Sequence, residues 1–215
     1  MRGRLTRVGL GGLIASGKSS LAAELVASRA LREAAGGAVE HADADALLRA
    51  ARAADADLRA AILTSVPSAR RADGSLDTAI LAAQAFADPE VMGRLEELQW
   101  PVVRQAIRDA SRDAEGRGVR LLLVEAIALG RSGLANELDG TLFLQVDEAV
   151  RRQRFVARGG SVEDFDLRNA AQAAIPTEMT NIGAVTIDAS GPLAETVQAA
   201  ISVLRRLCLQ GESID

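Results

Sequence analysis

The stretch Gly12-Leu13-Ile14-Ala15-Ser16-Gly17-Lys18-Ser19 constrains this chain more than any other. A glycine, four residues, a second glycine, a lysine and a hydroxyl residue form the Walker A pattern. The order has a physical reason. Glycines let the backbone curl until successive N–H groups face one point, and a helix starting there adds the partial positive charge of its N-terminus. The lysine then reaches the outer phosphates of a polyphosphate, and the hydroxyl completes a magnesium shell. Val8 to Leu10 reads as a short buried strand entering this turn. From Lys18 into the low thirties the chain reads as a helix, with Leu21 and Leu25 at i, i+4. Lys18 is also the only lysine among 25 basic residues, so the arginine bias of the chain spared this one position.

Beyond the loop, apolar runs alternate with helical patterns. Ala38 to His41 is a weak second strand, and alanine-rich helical sequence resumes after Asp45. Val66-Pro67 and Arg70 to Gly74 break it, a helix covers roughly Leu76 to Ala87, and a longer pattern through Leu95, Leu98, Val102 and Ala106 is expected to kink or split at Pro101. Val119 to Val124 and Thr141 to Val146 are continuous apolar runs that suit strands buried on both faces. A helix at Glu148 to Arg158, a Gly159-Gly160 hinge, a helix at Ser161 to Gln172, a strand at Ala184 to Ile187 and an amphipathic terminal helix complete the chain. Such alternation predicts an α/β fold, a mostly parallel five-stranded sheet between helical layers. Residues 1–215 read as one domain, with 58–116 a helical insertion and 150–182 a lid region.

Composition narrows the function classes. Apolar residues make up 48% and charged residues 25%, the balance of an ordinary globular chain. A net charge of −4 and very few aromatics argue against nucleic acid or an anionic membrane surface as partner. No run of about 18 apolar residues is present, so no membrane span is expected. The stretch Met1 to Arg7 carries three arginines, and the glycine-rich Gly9 to Ile14 is too short for a secretory core, so a cytoplasmic protein is expected, as a monomer or small homo-oligomer. One cysteine, Cys208, permits neither an internal disulfide nor a thiolate metal cluster.

Among phosphate-loop proteins, a GTPase needs an Asn-Lys-x-Asp sequence that a chain with one lysine lacks, and Asp188-Ala-Ser-Gly191 after the last strand reads as a turn. Val119 to Glu125 only partly matches the magnesium-holding strand of motor ATPases. A small-molecule kinase requires less: positioned charges, a base beside the acceptor hydroxyl, and mobile arginines. Histidine is nearly absent and His41 reads as a strand-end surface residue, so the base falls to Asp43 or Asp45, one capping the following helix while the other takes a proton. Arg154 and Arg158, at i, i+4 before the glycine pair, suit a lid closing over the moving phosphoryl. Glu125, at a strand end, is a candidate for magnesium-bound water or a substrate group.

Taken in order, Gly11 to Ser20, Asp43-Ala-Asp45 with Leu47 and Arg49, Asp73-Gly74-Ser-Leu76, Phe86-Ala-Asp88, Leu98-x-x-Pro101, Leu122-Leu-Val-Glu125, Arg154 to Arg158 and Ala171-Gln172 resemble the dephospho-coenzyme A kinase family over nearly the whole chain. The resemblance implies a five-stranded P-loop core, an acceptor-side helical region after the second strand, a lid, and use of ATP with Mg2+ on a nucleotide-like small molecule, the ribose 3′-hydroxyl of dephospho-coenzyme A. It implies Asp45 as base, Lys18 and Ser19 on the nucleotide, and Arg154 and Arg158 in the lid. Together with the residue reading, the candidate site is Asp45, Lys18 and Arg154 as catalytic groups, Asp43 and Glu125 on the substrate side, and Gly12, Ala15, Ser16, Gly17, Lys18, Ser19, Ser20 and Arg158 on the nucleotide, Ser19 also serving the metal. Most of the departures fall in regions expected to face or support the acceptor. Val66-Pro67 replaces Phe-Gly, Thr78 an arginine, Trp100 a histidine, Leu121 a proline and Ala189 an asparagine. Other readings left open by the residues are a nucleoside, nucleotide or sugar kinase, and a nucleotide-binding regulatory module without transfer.

Overall fold

The computed structural model describes residues 4–210, so the first three residues of the arginine-bearing N-terminal stretch lie outside it, as do residues 211–215. Five strands, β1 (Thr6–Gly12), β2 (Val39–Asp43), β3 (Leu121–Glu125), β4 (Gly140–Gln145) and β5 (Val185–Asp188), form one sheet in the order β2-β3-β1-β4-β5. Every pairing is parallel. From β1 the chain goes to one side for β2 and β3, then returns to the other for β4 and β5. The direction reverses between β1 and β3, and the crevice at their C-terminal ends is where open parallel sheets bind ligands.

Side-chain alternation explains why β3 is apolar throughout. Leu121 and Leu123 enter one core with Val8, Leu10, Leu142, Leu144 and Ile187, beneath α1 (Lys18–Ala27), α2 (Arg29–Ala35) and the C-terminal α10 (Leu193–Gln210). Leu122 and Val124 face the other core, with Phe143, Val103, Ile107, Ile175 and Met179. A strand covered on both faces has no polar side. The single helix expected from Lys18 into the low thirties is two. Ser28 adopts extended backbone (φ −68°, ψ 113°), ends α1, and caps α2 by accepting from Leu31 N at 3.2 Å. An N-cap residue cannot also be helical.

Between β2 and β3 lie α3 (Ala44–Ala54), α4 (Ala56–Ser65), α5 (Thr78–Ala87) and α6 (Pro89–Gly116). An aspartate caps each one, Asp43, Asp55, Asp77 and Asp88, its carboxylate accepting from two amides of the first turn. The residues Leu58, Ile62, Leu63, Val66, Leu81, Ala85, Val91 and Leu95 gather into a third apolar core of their own. Pro101 does not split the long helix: α6 runs unbroken through it. Its first half is buried by Val91 and Leu95 in the third core and its second by Val103, Ile107 and Ala114 against the sheet. Burial on both sides outweighs the roughly 3 kcal/mol that an interior proline costs.

After β4 come α7 (Glu148–Ala157), α8 (Val162–Ala171) and α9 (Ile175–Asn181). No helix among the described residues is long and apolar enough to cross a membrane.

Candidate active site

The loop after β1 is built to leave donors free. Gly17 (φ 93°) precedes α1, and no side chain caps that helix, so its first amides point outward without a protein partner. Gly12 (φ 158°) is needed for freedom and for closeness: a Cβ there would lie 2.5 Å from Ser16 Oγ and 3.2 Å from the Leu144 carbonyl. Ala15 (φ 59°) is the only non-glycine of the described residues with left-handed backbone, so the loop stores strain at its tip. A distant residue braces it: buried Gln172 accepts from Ile14 N through Oε1 at 2.7 Å.

Lys18 lies inside this loop, 9% exposed, its Nζ donating to Gly12 O at 2.8 Å and Leu13 O at 3.3 Å. Burial pushes its pKa down, while Glu125, Asp45 and Asp43 push back. Three carboxylates therefore attend one ammonium. Ser19 Oγ donates to Glu125 Oε1 at 2.8 Å. The strand register brings Glu125 there, since it stands beside Leu10 of β1 on one side and Asp43 of β2 on the other. His41 Nε2 lies 3.1 Å from Glu125 Oε2, without a well-aligned hydrogen bond to that buried oxygen. Burial opposes the charge on Glu125, but His41, the Ser19 hydroxyl and Lys18 outweigh it and hold the carboxyl below its ordinary range. His41, read from sequence as a strand-end surface residue, is indeed exposed, and its ring edge also reaches Glu125.

The two aspartates separate by position. Asp43 is the cap of α3, Oδ1 accepting from Asp45 N at 2.8 Å and Ala46 N at 3.2 Å. Asp45, in the first turn of α3, makes no such bond and opens into a cavity of about 290 Å³. Crowding by protein, and then Asp43, raise its pKa although solvent reaches it through the cavity. That cavity lies between α3, α5 and α6, with Arg52, Thr78, Phe86, Glu96, Gln99, Trp100, Arg131 and Gln172 on its walls. Two positions that depart from the family pattern, Thr78 and Trp100, are therefore cavity wall.

A second cleft of about 160 Å³ lies on the far side of the loop, lined by Ser16, Gly17, Ser20, Arg154 and Arg158. Arg154 spans it, Nη1 on Ser16 O at 3.4 Å and Nη2 on Ala189 O at 3.1 Å. Arg158 ends α7 and is exposed. Arg151, by contrast, is buried and structural, bonding Val146 O and Asn169 Oδ1. Ser16 Oγ is buried without a partner. The structure thus gathers Gly12, Ala15, Ser16, Gly17, Lys18, Ser19, Asp43 and Glu125 around the loop, with Asp45 on the cavity side and Ser20, Arg154 and Arg158 on the second cleft.

A phosphate loop at the reversal point of a parallel sheet, with Asp45 set between the loop lysine and a cavity open to solvent, defines a P-loop small-molecule kinase. A family model for dephospho-CoA kinase matches residues 6–195. The dephospho-CoA kinase of Anaeromyxobacter dehalogenans is 34% identical over 187 residues, which is 86% of this chain and 84% of that one. That of Deinococcus radiodurans is 30% identical over 211 residues, covering 94% and 92%. A crystal structure from Thermus thermophilus, 30% identical, matches with a TM-score of 0.72 over 95% of this chain and 98% of that one. The chain belongs to the dephospho-CoA kinase family and is an ATP-dependent phosphotransferase.

Proposed function

We propose that the chain transfers the γ-phosphoryl group of ATP to the ribose 3′-hydroxyl of dephospho-CoA. The observation that carries this is Asp45, the one carboxylate that lines the cavity, carries a raised pKa and is coupled by charge to Lys18 of the phosphate loop. A base with a pKa nearer neutrality takes a hydroxyl proton more effectively at the moment of attack than an ordinary aspartate. Asp45 accepts the acceptor's proton. The loop amides and Lys18 hold the phosphates in line and absorb charge as the phosphoryl moves. Arg154 and Arg158 neutralise the outer oxygens.

Magnesium fits the residues present. Ser19 Oγ, Glu125 and its strand neighbour Asp43 form a hard-oxygen set of excess negative charge. When bound, the ion supplies charge neutralisation between the phosphates.

Residues 58–116 serve as the acceptor side and 150–182 as the lid. Arg152 pairs with Asp166 at 2.6 Å and Phe155 packs on Phe165 at 5.8 Å, so α7 and α8 close as one unit. A panel of acceptors with labelled ATP tests the assignment. Formation of coenzyme A at a rate above that of every other nucleotide, nucleoside or sugar supports it; preference for another acceptor rejects it.

A further inference from the structure

Arg52 and Arg131 are the two cationic side chains on the cavity wall, and they are not equivalent. Arg131 is neutralised, 3.0 Å from Glu96 and 3.7 Å from Glu178. Arg52 has no carboxylate of the described residues within salt-bridge distance. Its Nη2 donates to the neutral Gln99 Oε1, and its buried Nε has no hydrogen-bond partner. Gln99 is itself fixed: it is buried, and its Nε2 donates to Leu95 O at 2.8 Å, which turns Oε1 toward the guanidinium. A half-buried guanidinium held by a neutral bracket is left short of both counter-charge and hydrogen bonds. An anion in the cavity supplies both.

Position along α3 says where that anion lies relative to the chemistry. Arg52 is seven residues after Asp45, so both lie on one face of the helix, about 10 Å apart along its axis. Both line the same cavity. We infer that Arg52 is the acceptor's anion anchor: it binds a phosphate-ester group carried by the acceptor away from the reacting hydroxyl, and Gln99 is its positioning residue. Planar guanidinium donors suit phosphate oxygens in pairs, and a lysine in the same place is a poorer substitute. Resting on the proposed function, the inference assigns this anchor to the diphosphate of dephospho-CoA.

The single tryptophan of the chain, Trp100, lines the same cavity and reports its occupation without turnover. With the phosphate loop saturated by a non-hydrolysable ATP analogue, Trp100 fluorescence is titrated with dephospho-CoA and, separately, with adenosine, which lacks the diphosphate. Arg52→Gln is expected to weaken dephospho-CoA binding about ten- to a hundredfold and to flatten its salt dependence, with adenosine affinity unchanged. Arg52→Lys, which keeps the charge if the neutral variant folds poorly, is expected to give a smaller loss for dephospho-CoA alone. Equal losses for both ligands, no loss for dephospho-CoA, or no dephospho-CoA signal in the unaltered protein each overturn the anchor. Binding through Arg52 without coenzyme A formation by the unaltered protein instead overturns the proposed reaction and leaves the anchor standing.

Discussion

Ser19 Oγ donates a 2.8 Å hydrogen bond to Glu125 Oε1, joining the phosphate loop to the end of a strand 106 residues further on. The bond ties the hydroxyl of the loop to a carboxylate whose other oxygen is buried, with His41 Nε2 at 3.1 Å. Loop and strand end therefore act as one oxygen-rich unit.

Glu125→Ala removes the acceptor of that bond and one of the counter-charges of Lys18. Transfer is expected to fall roughly tenfold or more, with a higher magnesium concentration needed for half-maximal rate. Initial rates over a magnesium series check this; an unchanged midpoint rejects a role for Glu125 at the metal.

Asp45→Asn is expected to reduce kcat by about 10²- to 10⁴-fold while ATP affinity is kept. The fold raises the Asp45 pKa, so it favours the protonated form. Its contribution to stability is present below the ordinary aspartate pKa and is lost as pH rises through the raised folded value. The neutral variant is therefore expected to melt higher than the unaltered protein at pH 7, a gain that fades in acid. For the unaltered enzyme, the acid limb of kcat/KM lies above the ordinary aspartate range. Melting curves and a pH–rate profile test both halves.

Lys18→Ala removes an ammonium whose pKa is lowered chiefly by burial. The lowered value means the fold disfavours the charged form at neutral pH, a cost that lifts as pH rises through the lowered folded value and is gone above the ordinary lysine pKa. Nucleotide affinity is expected to collapse while the unliganded protein melts no lower than before. Calorimetry with ATP and thermal melts decide it, and undiminished affinity would end the phosphate-loop reading.

Gly12→Ala places a Cβ 2.5 Å from Ser16 Oγ and 3.2 Å from the Leu144 carbonyl. The serine can rotate, but the strand carbonyl cannot, so the loop must shift. ATP binding is expected to be lost with the sheet intact, readable as absent nucleotide-induced stabilisation in a protein of unchanged circular dichroism.

Arg154→Gln breaks the span from Ser16 O to Ala189 O and takes a cation from the mouth of the second cleft. A loss of about 10²- to 10³-fold in kcat with little change in ATP affinity is expected, since its charge acts on the moving phosphoryl. Single-turnover rates test it.

The sequence alone determined the local physics. Strand, glycine turn and helix at residues 6–27 follow from hydrophobic period and glycine placement, and β3 from an unbroken apolar run, because those signals lie within a few residues of one another. The paired aspartates were legible as one cap and one free carboxylate; which is which was settled by the backbone of Asp43, whose extended conformation makes it the cap. Tertiary structure decided what distant residues share. Gln172 on Ile14 N, His41 beside Glu125, and Arg52 bracketed by Gln99 leave no mark in local sequence, because each contact forms only once the sheet order and helix packing bring remote segments together. Pro101 shows the same limit from the other side, a strong local breaker overruled by two separate cores that hold both halves of its helix.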